Sequence, residues 1–226
     1  MKKGFFITGT DTGIGKTTAT LALMNAFQQH GLTVAGMKPI ASGCQQTPEG
    51  LRNEDALLLQ QHASIQLPYE VINPYAFEPP IAPHIAAAQA DITISIEHIV
   101  NCYNEIASQT DMVLVEGVGG WLVPISTAQT LAHLAQALSL PVINVVGIRL
   151  GCLNHALLTH ESILSHQCAA AGWIANQPDI KTECKIEIVN ILQERLKANY
   201  LGDIPYLDNV NNINLGTSLN ISSLLA

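Results

Sequence analysis

"TGTDTGIGKTT", residues Thr8–Thr18, follows an apolar run and opens a stretch of helical periodicity. It approaches the phosphate-loop pattern G-x-x-x-x-G-K-[ST] without matching it. Counting back from Gly15 puts Thr10 where the first glycine belongs, and Gly9 stands one residue earlier. Strand, glycine-rich turn, Lys-Thr and helix is nonetheless the right order for a loop that cradles phosphate. The extra residue changes only the path by which the chain reaches Gly15.

Outward from that loop, strand-like and helix-like segments alternate with no internal repeat. "GFFIT" (4–8) predicts a strand entering the turn. Leu23, Met24 and Phe27 give an apolar face to a helix from Lys16 to His30, with Gly31 as its stop. "LTVAGMKPI" (32–40) predicts a second strand closed by Pro39. The polar loop "ASGCQQTPEGLRNED" leads into a short helix from about Asp55 to His62, and the four prolines of 73–84 predict an irregular surface segment. Helices are expected over 85–90 and 95–108. "DMVLVEGVGG" (111–120) predicts a buried strand running into a second glycine-rich turn. "PVINVVG" (141–147) and "GWIAN" (172–176) predict two more, with helices around 128–138, 154–170 and 181–198. Nothing catalytic is read in the tail 208–226.

Continuous Val/Ile runs separated by helices suit a parallel sheet covered on both faces. The expectation is a single α/β domain over 1–226, a three-layer α/β/α architecture with a mostly parallel central sheet. In such folds ligands sit beyond the carboxyl ends of the strands.

Composition narrows the function classes. Of 226 residues 48% are hydrophobic and only 12% charged, which excludes a disordered or coiled-coil chain. Ten basic against 18 acidic residues leave a net charge of −8, so the footprint of a nucleic-acid binder is missing. No apolar run is long enough for a membrane span, and the start "MKKGFF" is too short for a signal peptide. Five cysteines without a C-x-x-C pair read as reduced thiols, hence a cytoplasmic location. His155, His160 and His166 lack the i, i+4 spacing of a zinc helix.

The loop itself specifies chemistry. Backbone N–H groups of Gly13, Ile14, Gly15, Lys16, Thr17 and Thr18 would converge on phosphate oxygens, helped by the helix dipole. Lys16 would place a cation on the β/γ oxygens, and Thr17 a hydroxyl on Mg2+. Glu116 interrupts an apolar strand, as a carboxylate does when it faces a site. Asp55 follows the polar loop and suits either a metal ligand or a helix N-cap. With Thr17, the two acids make an oxygen set fit for Mg2+. Lys38 at a strand end is either a second cation for phosphoryl transfer or a solvated lysine.

Seven blocks in order, "GTDTGIGKT", "GMKPIASG", "TPEGLRNEDA", "VEGVGGWLVPI", "LPVINVVGIRLGCLNHALLT", "AGWIAN" and "LGDIPYL", closely resemble dethiobiotin synthetase, a phosphate-loop NTPase-like family. The blocks lie within residues 5–207 and cover most of them. The resemblance implies Mg·ATP-dependent ring closure of 7,8-diaminononanoate with CO2 to dethiobiotin, in biotin synthesis. A carbamate forms, takes the γ-phosphate to become a carbamic–phosphoric anhydride, and is attacked by the second amine. No covalent nucleophile is needed, and no Ser-His-Asp or Cys-His set is found.

Carried onto this chain, the resemblance makes Lys38 and Lys16 catalytic and gives Mg2+ to Thr17, Asp55 and Glu116. Thr12 and Ser42 would face the diamine or its carbamate. Gly117, Val118 and Gly119 would continue the phosphate wall. Asn176 would hydrogen-bond the adenine edge, with Gln177, Pro205, Tyr206 and Leu207 lining the base. The family's homodimer implies that the turn of Gly151, Cys152, Leu153 and Asn154 receives the substrate carboxylate from the partner subunit. From the residues alone that turn reads equally as a plain helix start. Three positions depart from the family habit: Gly13 where Glu is frequent, Arg149 for a common Lys, and Gln177 for a common Asp.

Three other readings compete. An amidoligase-related synthase would also activate a carboxylate with ATP. A partitioning-type ATPase switch would want a lysine where Thr10 stands, and a basic surface. An inactive scaffold would not keep Lys16, Thr17, Lys38, Asp55 and Glu116 together.

Overall fold

Apolar β-branched segments that are buried on both faces pair side by side, and here six of them form one sheet in the order β10-β9-β8-β1-β7-β2. The computed structural model describes residues 4–179, 183–207 and 219–225. The sheet strands are β1 (Gly4–Gly9), β2 (Val34–Met37), β7 (Met112–Glu116), β8 (Val142–Gly147), β9 (Ala170–Asn176) and β10 (Asn199–Ile204). Every pairing in this sheet is parallel. The helices are α1 (Lys16–Gln29), α2 (Glu54–His62), α3 (Tyr69–Ile72), α4 (Pro83–Gln89), α5 (Ile96–Gln109), α6 (Leu131–Leu138), α7 (Cys152–Ser165) and α8 (Lys185–Arg195).

Alternation along each strand sends successive side chains to opposite layers. Ile7, Leu114, Ile143 and Val145 pack on one face with Leu23, Met24 and Phe27 of α1. Phe6, Val113 and Val115 pack on the other with Ile99 and Ile106 of α5 and Leu131 and Leu134 of α6. Towards the far edge, Val146, Trp173 and Ala175 carry Ala156 of α7 and Leu192 of α8. This is the expected three-layer α/β/α arrangement.

The connection between β2 and α5 departs from expectation. The strand expected over 32–40 breaks at Lys38-Pro39, because Pro39 has no N–H to continue the ladder. Instead, Lys38 N–H donates to the Ile72 carbonyl at 2.9 Å, and Asn73 Nδ2 donates to the Lys38 carbonyl at 2.6 Å. The chain resumes as β3 (Ile40–Ser42), then folds the hairpin of β4 (Gln45–Thr47) and β5 (Gly50–Arg52). Nor is 73–84 wholly irregular: β6 (Tyr75–Phe77) pairs in parallel with β3. The tail 208–218 and the start of the helix expected from 181 lie outside the described residues.

This topology positions the site. After β1 the chain runs to β2 at one edge, β7 fills the place between them, and β8 lies on the other side of β1. The crevice over the carboxyl ends of β1, β7 and β2 is the switch point where ligands bind in open parallel sheets.

Candidate active site

The loop after β1 is held by one apolar anchor and one amide. Ile14 is fully buried in the α1-side core, so its contribution to the site is its backbone. Asn176, at the end of β9, donates through Nδ2 to the Ile14 carbonyl at 2.7 Å. Gly15 has φ +83, and a Cβ there would lie 2.1 Å from Asn176 Nδ2, so only glycine fits. Gly13 also takes a left-handed φ, +70, with open space where a side chain would project. From Lys16 the backbone is helical, with Ala19 N–H bonded to the Gly15 carbonyl at 3.0 Å.

Two strand ends and a helix start bring the charges together. Lys38 directly follows β2, Glu116 ends β7, and Asp55 sits in the first turn of α2. Lys38 Nζ donates to Glu116 Oε1 at 2.5 Å and to Asp55 Oδ2 at 2.8 Å. Thr17 Oγ1 donates to the same Glu116 oxygen at 2.8 Å. Glu116 is wholly buried, and its Oε2 has no hydrogen-bond partner among the described residues. The helix N-cap is Asn53, whose side chain accepts from Ala56 N–H at 3.2 Å; Asp55 is therefore free to face Lys38. That settles the alternative in which Asp55 caps the helix.

Burial acts against the charge on Lys38, but the Glu116 and Asp55 carboxylates outweigh it and hold its pKa above the ordinary value. Burial likewise works to raise the Asp55 pKa, and Lys38 overcomes it, holding the carboxyl below its usual range. Lys16 forms no ion pair among the described residues, and the more distant Glu116, Asp55 and Asp11 only partly offset its burial. Burial, with the positive charge of Lys38 nearby, pulls its pKa down to about 8. Its ammonium donates to the Asp11 carbonyl at 2.9 Å.

Two adjacent cavities lie over this constellation and the loop. The larger, of about 480 Å3, is walled by Thr12, Gly13, Gly15, Lys16, Thr17 and Thr18 from the loop. Lys38, Ala41, Ser42, Asn53, Glu54, Asp55 and Leu58 close one side; Glu116, Val118 and Gly119 close the other. A smaller one of about 160 Å3 lies between Gly13, Gly15, Thr18, Asn176, Gln177, Pro178, Pro205, Tyr206 and Leu207. Gly13, Gly15 and Thr18 border both, so one elongated ligand can run along the loop from one to the other.

Most residues expected at the site thus converge. Gly117 lines neither cavity; a Cβ there would meet Phe6 and Leu131. Gly151, Cys152, Leu153 and Asn154 also stand outside both, at the N-terminus of α7 beside a fully exposed Leu150. Sequence reasoning missed Asn53 and Glu54, although the polar residue just before a helix at Asn53 is a capping signal. It also missed the ion pair of Arg149 Nη2 with Asp11 Oδ2, which links the loop to the turn after β8. No local signal joins residues so far apart in the chain.

Comparison with known proteins gives the site its family. A family model described as an AAA domain matches residues 3–214. An ATP-dependent dethiobiotin synthetase of Pseudomonas aeruginosa is 50% identical over 205 residues, covering 90% of this chain and 90% of that one. Its counterpart in Aeromonas hydrophila is 45% identical over 226 residues and covers 100% of both chains.

The chain belongs to the dethiobiotin synthetase family.

Among solved structures, the MinC:MinD cell division complex of Aquifex aeolicus matches with a TM-score of 0.58 at 19% identity, covering 91% of this chain and 82% of that one. That likeness speaks for the shared architecture alone. Membership in the synthetase family separates this chain from the partitioning-type ATPases that share its sheet. Among the described residues no helix is long and apolar enough to cross a membrane.

Proposed function

We propose that this protein closes the ureido ring of dethiobiotin from 7,8-diaminononanoate and CO2 at the expense of ATP. The observation that carries the reading is Lys38, bridging two carboxylates on the floor of a cavity continuous with the phosphate loop.

ATP lies along the loop with its base in the smaller cavity and its γ-phosphate over Lys16. The backbone of Gly13 to Thr18 holds the phosphates. The diamine occupies the larger cavity near Thr12 and Ser42; the Ser42 hydroxyl is buried there with no partner among the described residues. One amine adds to CO2 and gives up a proton to solvent, leaving a carbamate. A carbamate oxygen attacks the γ-phosphorus and ADP leaves. The second amine then attacks the carbonyl carbon of the anhydride, loses a proton, and expels inorganic phosphate. Holding that amine against the carbonyl makes closure effectively unimolecular. Lys38 and Lys16 stabilise the negative charge that builds on the transferring oxygens.

The oxygen set of Thr17, Asp55 and Glu116 fits Mg2+, a hard cation, and Glu116 Oε2 is available for it. When bound, the metal would neutralise phosphate charge. The turn Gly151–Asn154 is assigned to the substrate carboxylate across a homodimer interface. The exposed Leu150 beside it, and its position outside the cavity, support that placement. The five free cysteines suit a reducing cytoplasm.

The test is ADP release from Mg·ATP, measured with and without the diamine and bicarbonate. Release that requires both is expected; ATP turnover indifferent to the diamine overturns the assignment.

A further inference from the structure

Two side-chain amides line the smaller cavity, and the chemistry of their partners fixes which way each one points. Asn176 meets the Ile14 carbonyl, which can only accept, so its nitrogen faces the loop. That leaves its oxygen as the amide's acceptor. Gln177 meets Lys185 Nζ at 3.1 Å; an ammonium can only donate, so here the oxygen is engaged and the NH2 is left over. Lys185 is itself fixed by Asp203 Oδ2 at 2.6 Å, and Asp203 Oδ1 accepts from the Tyr200 hydroxyl at 3.2 Å. Burial and the neighbouring Asp203 keep that phenol protonated and donating. The Gln177 backbone is pinned too, its N–H bonded to the Ile204 carbonyl at 2.9 Å.

With the nitrogen of one amide and the oxygen of the other engaged, Asn176 keeps an acceptor and Gln177 a donor for a ligand in the cavity that both line. We propose that the Lys185–Asp203 pair is a positioning device that sets the Gln177 amide so that the cavity reads an exocyclic amine beside a ring nitrogen. Adenine and cytosine present that edge. Hypoxanthine and uracil put a carbonyl where the amine should be, and their ring N–H would oppose the Gln177 NH2. An acidic residue at position 177 could only accept, and would read the amine without the ring nitrogen. Gln177 is thus a specificity residue, and its selectivity depends on a lysine that need not touch the ligand.

The inference rests on the ATP-site reading, and direct nucleotide binding separates the two. Displacement of fluorescent ADP by ATP, CTP, ITP and UTP is measured on the wild-type protein, Lys185→Met, Lys185→Arg and Gln177→Met. The wild type is expected to prefer ATP over ITP by about tenfold or more. Lys185→Met frees the amide to turn over and should bring ATP and ITP to within about threefold of each other, as should Gln177→Met, while Lys185→Arg restores the preference. In steady-state assays the change should fall on KM for the nucleotide rather than on kcat. The CTP arm decides whether the pocket takes both amine-bearing bases or only the purine. Equal binding of ATP and ITP by the wild type, or an unchanged preference in both Met variants, overturns the inference alone. If no nucleotide binds, the ATP-site reading falls with it.

Discussion

Lys38 holds Asp55 and Glu116 in the larger cavity beside the loop after β1, and Lys185 holds Asp203 and Gln177, which lines the smaller one. The chemistry of the contacts is the same; the surroundings differ at the lysines and at Glu116, while Asp55 is 40% exposed. The Lys38 and Glu116 side chains are 5% and 0% exposed, those of Lys185 and Asp203 25% and 45%. A buried charge that loses its partner has no water to fall back on, while a half-exposed one does. The first cluster is therefore bound into the fold and, on the proposed mechanism, into the reaction as well. The second is nearly free of stability and can be devoted to orientation.

The sharpest way to break that comparison is Lys38→Ala. Ring closure should be abolished with nucleotide still bound, and thermal or denaturant unfolding should show a loss of about 3–5 kcal/mol, because Glu116 is left buried without its cation. Normal turnover in this variant would make Lys38 a bystander. Next in size is Asp55→Ala, expected to raise the Mg2+ concentration that ATP turnover requires by about tenfold or more, read from a metal titration of the rate. Gly15→Ala probes the joint between the two cavities. Its left-handed φ and the clash with Asn176 should weaken nucleotide binding by about tenfold or more, measured by calorimetry.

A smaller effect concerns Lys16, whose pKa of about 8 lies below the ordinary 10.5. Between those values the unfolded chain holds a proton that the free fold does not, so this group's contribution to stability rises with pH across that window. A bound phosphate favours the charged form. Nucleotide binding above pH 8 should therefore take up a fraction of a proton, which should vanish near pH 6.5. Calorimetry in buffers of different ionisation enthalpy measures it. Smallest of all is the stability change in Lys185→Met, within about 1 kcal/mol. A larger loss would mean that the outer pair is structural after all.

What the sequence made legible follows the same division. A lysine, a threonine and glycines straight after an apolar strand, and a glutamate ending another, are anomalies against a simple background, and both lie where they were expected. Asp55 was legible as an acid but not as a partner of Lys38, because its alternative role at a helix start is excluded only by Asn53 taking the cap. The short strands β3 and β6 left no periodic trace. Each has only three residues, and β6 is framed by prolines that read as loop. What holds that region is Asn73, a buried side chain that ties the Lys38 carbonyl and takes the Tyr69 hydroxyl at 2.9 Å. The Lys185–Asp203–Gln177 relay was equally silent, since it joins residues from different elements that only the fold makes neighbours.

The contact of Asn176 with Gly15 and Ile14 has a consequence for how this protein can change. On the proposed reading its amide serves both the loop that grips phosphate and the recognition of the base, so neither can be altered by substituting it without disturbing the other. On the same reading, a new nucleobase preference is open to this chain through Gln177 and Lys185, neither of which bonds to the loop. Evolution, or an engineer, is left with a small set of adjustable residues beside a part that must be inherited whole.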